Sequence, residues 1–151
     1  MQSGISRLIG YLRASVLVMV AMLMALASQS VCRADANVAS LQKAVQAGQY
    51  AQVIKSVQAA LPSSTDAIAA QLYYVEAQAF TGEKMYARAA LAYLRLPFTY
   101  PDDSMAPAAL LAAANLEANE LKDPTGGQRL KNLLLGMYPK SAQAATVAKK
   151  H

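Results

Sequence analysis

Three observations on this 151-residue sequence predict an all-α fold. Pro62, Pro101 and Pro139 recur at spacings of 39 and 38 residues, and each interval reads as a pair of amphipathic helices, the pattern of stacked helical hairpins. No segment alternates apolar and polar residues with the period of a strand. The chain is rich in alanine and lacks tryptophan, which favours helices and lets them approach closely. The expected architecture is a short α-solenoid of about three helical hairpins plus a C-terminal capping helix.

The N-terminal segment stands apart. Arg7 and Arg13 precede the uncharged run Ala14–Ala27 and a short polar stretch, the layout of a secretory signal peptide. That run of 14 residues is shorter than a membrane-crossing helix, which needs roughly 18–20. Ala34-Asp35-Ala36 offers small residues at the two positions a signal peptidase reads, so cleavage is expected before Asn37, with cleavage after Ala34 as the alternative. Val31, immediately ahead of Cys32, is unlike the residue that precedes a lipidated cysteine. Residues 1–36 are therefore read as a cleaved signal and 37–151 as one domain, exported to the periplasm or beyond. A retained N-terminal membrane anchor is the alternative. Cleavage removes Cys32, the only cysteine, leaving neither disulfide nor thiolate chemistry. It also removes Arg7, Arg13 and Arg33 but only Asp35, so the formal charge falls from +5 to +3, too mild for a nucleic-acid partner.

Breakers then delimit seven helices. The first, over 38–47, stops at Gly48. The second, 50–61, carries Val53, Val57 and Ala60 and ends at Pro62. Ser64 or Thr65 is placed to cap the third, 65–81, which Gly82 terminates. In the fourth, 84–96, a turn of about 100° per residue clusters Tyr86, Ala89, Tyr93 and Leu96 on one face and Lys84, Arg88 and Arg95 on the other. The fifth, 104–121, has Ser104 as its cap and Pro107 in its first turn, where a missing N–H is tolerated. Leu130, Leu133, Leu134 and Met137 give the sixth, 126–137, its apolar side, and Gly126-Gly127 is read as a turn and close-packing device. The seventh, 141–149, capped by Ser141, sets Ala142, Ala145 and Ala148 along one side and ends at Lys149-Lys150, as a terminal cap would.

Ala70–Asp103 resembles one 34-residue tetratricopeptide repeat. Tyr73, Ala77 and Phe80 match its first-helix aromatic, small and aromatic positions. Tyr86, Ala89, Tyr93, Leu96 and Pro101 match the second-helix positions and the closing proline. Glu76 stands where the family usually has leucine, and Leu96 where it has alanine. The flanking hairpins match more loosely, and the Tyr-Pro endings at Tyr100-Pro101 and Tyr138-Pro139 resemble repeats of bacterial envelope proteins such as the Tol-Pal coordinator and the outer-membrane assembly lipoprotein. The resemblance implies a concave groove for a peptide or protein partner, with Gln71, Tyr74 and Gln78 facing inward and Asn115 and Asn119 extending the groove. Packing of Tyr74 on a neighbouring hairpin is the alternative reading.

No catalytic constellation is evident. The single histidine is His151, without a second metal ligand near it in sequence, and neither a serine-nucleophile motif nor a phosphate-binding glycine loop occurs. Glu117 and Glu120 read as a solvated helix face. The expectation is a non-enzymatic adaptor without cofactor or metal, binding a protein or peptide in an extracytoplasmic complex. Alternatives are a structural or self-associating subunit and, through Lys84, Arg88 and Arg95, a binder of an acidic protein face or anionic envelope polymer.

Overall fold

The computed structural model describes residues 37–149. The segment expected to be a signal peptide, residues 1–36 including Cys32, and Lys150 and His151, lie outside the described residues. Helix α1 covers 37–46, followed by α2 (Tyr50–Ala60), a 3₁₀ turn (Leu61–Ser63), α3 (Asp66–Gly82), α4 (Tyr86–Thr99), α5 (Ala106–Asn119), α6 (Pro124–Met137) and α7 (Ala142–Ala148). The described residues contain no strand, and no helix among them is long and apolar enough to cross a membrane.

Helices adjacent in sequence pack side by side from α2 to α7, and α7 also touches α5. The turn Glu83–Met85 joining α3 to α4 is far too short to return to the other end of a 14-residue helix, which is about 21 Å long. Packed neighbours joined so tightly run antiparallel. Three apolar clusters follow one another along the chain. Val38, Leu41, Val53, Val57, Leu72, Val75 and Ala79 unite α1, α2 and α3. Ala77, Phe80, Ala89, Tyr93, Leu96, Ala109 and Ala113 unite α3, α4 and α5. Leu110, Leu134, Ala144 and Val147 unite α5, α6 and α7. Helix α3 contributes to two of these clusters, which is why Leu72, Val75, Glu76, Ala77, Ala79 and Phe80 are all buried. Ala77 and Ala89 are both 0% exposed, as expected for small residues that let α3 and α4 close on each other.

The three turns that lead into α2, α4 and α6 share one backbone device. Gly48, Lys84 and Lys122 adopt φ of 76°, 60° and 58°, the positive values among the described residues. Each stands two residues before the next helix begins, at Tyr50, Tyr86 and Pro124. In the first two turns the chain closes as a Schellman motif, with Gln49 N–H donating to Ala44 O (2.9 Å) and Met85 N–H to Phe80 O (2.8 Å). Lys84 therefore belongs to a left-handed turn and not to the helix face that periodicity assigned it, because α4 starts at Tyr86.

Contacts between successive hairpins recur as well. The Tyr50 ring, at the start of α2, covers Gly82 at the end of α3 so closely that a Cβ on that glycine would overlap it. Tyr86, at the start of α4, lies beside Glu120 just past α5; burial, and then that carboxylate, hold its phenol above the ordinary value. Tyr100 and Tyr138, which follow α4 and α6, are also held above the ordinary phenol value, Tyr100 by burial, then Tyr73 and Asp66, and Tyr138 by burial, then Asp102. The Tyr138 hydroxyl is buried without a hydrogen-bond partner.

Several local expectations need correction. Thr65 occupies the N-cap of α3 but its side chain makes no cap bond, while the Ser64 hydroxyl donates to Leu61 O at 2.8 Å. Ser104 does not cap α5, which begins after Met105; Asp103 Oδ1 accepts from Met105 N–H instead (2.8 Å). Helix α6 starts at Pro124, two residues early, because Asp123 Oδ1 accepts from Gly126 N–H at 2.8 Å. Helix α4 continues to Thr99 through Pro97, whose missing N–H leaves the Tyr93 carbonyl without its helical partner and whose ring is fully buried. The Ser141 cap is as expected, accepting from Ala144 N–H at 3.1 Å. Gly127 is the close-packing glycine, since a Cβ there would meet Ala114 O and Ala118 Cβ of α5 at 2.7 Å each.

Candidate functional site

Two sets of side chains stand out. In the first, Gln71, Tyr74 and Gln78 on α3 are half-buried, and Asn115 and Asn119 on α5 are exposed. Tyr74 sits edge-on against Tyr93, with ring centroids 5.4 Å apart and planes at 72°, and packs on the α3–α4–α5 cluster. Much of its ring is thus committed to the fold. Burial, then Tyr74, push the Tyr93 phenol up to about 12. The Asn119 backbone carbonyl accepts from Lys122 Nζ at 2.6 Å.

The second set lines a groove of about 490 Å³. One wall comes from Gln58 of α2 and Leu61 just after it, and the floor from Glu76 and Phe80 of α3. Arg88, Leu91, Ala92 and Arg95 of α4 form the other wall. Glu76, at 4% exposure, is the buried charged residue of the described chain. It accepts from Gln58 Nε2 at 3.4 Å. Burial raises its pKa, against the opposing pull of the Gln58 hydrogen bond and the Arg95 charge. The Arg95 guanidinium lies 4.8 Å from the centre of the Tyr73 ring, which in turn meets Tyr100 at 6.4 Å. This stack holds one cation at the rim in a preferred position. Among the described residues neither Arg88 nor Arg95 forms a salt bridge.

Leu91 and Phe98, at 65% and 63% exposure, are exceptionally open for large apolar residues. They fall at the spacing Arg88, Leu91, Arg95, Phe98, which puts all four on one side of α4. The periodicity that groups Arg88 with Arg95 also contains Leu91, whereas Phe98 lies beyond the expected end of this helix at residue 96 and joins the face only because α4 continues through Pro97. Gln58 and Leu61 carried no such signal, because only the packing of α2 on α3 brings them to the groove.

Of the eight positions read as repeat packing, Ala77, Phe80, Ala89, Tyr93 and Leu96 are buried, Tyr73 and Tyr86 half-buried, and Pro101 exposed in the turn after α4. A smaller recess of about 300 Å³ between the start of α3 and residues 99–103 holds Asp66, Asp102 and Asp103. No cluster of potential metal ligands occurs among the described residues.

No family model, curated protein or solved structure matches the chain.

Proposed function

We propose that the chain is a tetratricopeptide-like helical-repeat adaptor, exported from the cytoplasm, that works by non-covalent binding of a peptide or protein. The observation that carries this reading is the recurrence of one hairpin: a left-handed residue at Gly48, Lys84 and Lys122 two positions before each second helix. The Tyr50–Gly82 and Tyr86–Glu120 contacts support it, since each ties a second helix to the end of the next first helix. Repeats of this kind act by displaying surface, and their stability comes from neighbour-to-neighbour packing. The α3–α5 face offers amide groups from Gln71, Gln78, Asn115 and Asn119, which both donate and accept toward an extended backbone, and part of the Tyr74 ring.

The test is tagged purification from the native host, comparing wild type with a Gln71→Ala/Gln78→Ala/Asn115→Ala variant of unchanged circular dichroism. A protein that co-purifies stoichiometrically with wild type and is lost from the variant supports the reading. Co-purification that ignores the three changes, or its absence from wild type, overturns it. Mass spectrometry of the mature N-terminus tests export, with Asn37 the expected first residue.

A further inference from the structure

The geometry points to the α2–α4 groove as a docking site for an acidic amphipathic helix of a protein partner, with Arg88 and Arg95 pairing two of its carboxylates around an apolar side chain seated beside Leu91. This surface is distinct from the α3–α5 amide face. Glu76 follows Tyr74 by two residues on α3, a rotation of about 200°. The inference shares with the proposed function only the premise that the chain binds protein.

Charge complementarity selects the occupant. Two exposed arginines, neither in a salt bridge among the described residues although Arg95 feels the buried Glu76 carboxylate, flank an apolar strip, an arrangement that attracts anions and leaves Leu91 and Phe98 wet until something covers them. Arg88 and Arg95 are seven residues apart, two helical turns or about 10.5 Å. A partner helix lying along α4 repeats that spacing when acidic residues stand at i and i+7, and its i+3 or i+4 side chain then falls between them. The stack of Arg95 on Tyr73 restrains one of the two cations before binding, which lowers the ordering cost of the contact.

Shape and floor argue for a helix over a lipid surface. The groove is recessed between α2 and α4, whereas a bilayer needs an apolar face that protrudes into it. Its floor also carries the Glu76 carboxylate, which hydrocarbon would leave without a partner. A polypeptide can bring a donor to it.

Fluorescence anisotropy with a labelled helical peptide tests the proposal. The peptide carries Glu at i and i+7 and Leu at i+3, i+4 and i+10; its control has Lys in place of both Glu. Vesicles of phosphatidylglycerol and phosphatidylcholine form the third arm. The acidic peptide is expected to bind, the lysine control at least tenfold more weakly, and affinity is expected to fall with salt. Arg88→Glu/Arg95→Glu should weaken the acidic peptide at least tenfold and restore binding of the lysine control, a swap that damage to the fold cannot mimic. Arg88→Glu alone, which leaves the Tyr73 stack intact, should show the same trend. Equal affinity for the two peptides, no binding of the acidic peptide, or binding to vesicles alone overturns the inference. Loss of the native partner in the amide-face variant has no bearing on these titrations.

Discussion

The aromatic ring of Tyr50 rests on Gly82, filling the space a Cβ would take at the end of α3. This contact couples two helices through a residue without a side chain, so its energetics should be non-additive. Gly82→Ala is expected to cost about 1 kcal/mol by displacing part of the ring from apolar contact. Tyr50→Ala should cost roughly 2–3 kcal/mol through lost aromatic burial. In the Tyr50→Ala background the sign reverses, and Gly82→Ala should stabilise by about 0.5 kcal/mol because alanine is the better helix former. Urea denaturation of the four proteins measures the cycle; a glycine effect of the same sign in both backgrounds contradicts the contact.

Gly126 and Gly127 are adjacent but should respond differently. A Cβ at Gly127 meets the backbone of α5, which cannot yield without moving the helix, so Gly127→Ala is expected to cost about 2–3 kcal/mol. At Gly126 the obstacle is the Asp123 carboxylate, and Gly126→Ala should cost about 1 kcal/mol, the worth of the N-cap it displaces. Thermal unfolding of both variants decides the order.

Lys84 and Lys122 hold φ near 60° at positions where Gly48 uses a glycine. Lys84→Gly and Lys122→Gly should each raise stability by up to about 1 kcal/mol, as left-handed strain is relieved, and Gly48→Ala should lower it by a similar amount. Denaturant midpoints at unchanged m-value are the readout.

Glu76 predicts a pH dependence of the opposite slope to that of an ordinary paired carboxylate. Burial raises its pKa in the fold above the ordinary glutamate value, so the native chain holds this proton at pH values where the unfolded chain has lost it. That contribution is full below the unfolded value and is lost as pH rises through the folded one. Glu76→Gln retains the amide contact with Gln58 and removes the ionisation. The variant should melt above wild type at pH 7, with the gap closing as pH falls below about 4. A gap that widens on acidification refutes this account.

The helices themselves were legible in the sequence, because Gly48, Gly82, Pro62, Pro101 and Pro139 interrupt strongly periodic segments and local chemistry dictates the interruption. Pro97 shows where that logic fails: its cost to α4 is outweighed by a ring that is wholly buried, a tertiary gain no local rule contains. Lys84 shows another limit, since lysine gives no sign that its backbone will turn left-handed. The inward positions of Gln71, Tyr74 and Gln78 follow from the repeat resemblance, but the edge contact of Tyr74 with Tyr93 depends on α4 and shrinks what that ring can offer. The groove was the least legible, because Gln58 and Glu76 meet across 18 residues of chain.

Helix packing that follows the order of the chain also has a kinetic meaning. Each apolar cluster is assembled from neighbouring helices, so little loop entropy must be lost before contacts begin to form. Such topologies fold fast, and they open from the ends inward. The α3–α4–α5 segment should keep its amide protons longest in hydrogen exchange, while α1, α2 and α7 exchange through local opening. The amide side chains of α3 and α5 and the α3 floor and α4 wall of the groove lie in that slowest-exchanging centre, whereas the wall carrying Gln58 and Leu61 opens with the end of the chain.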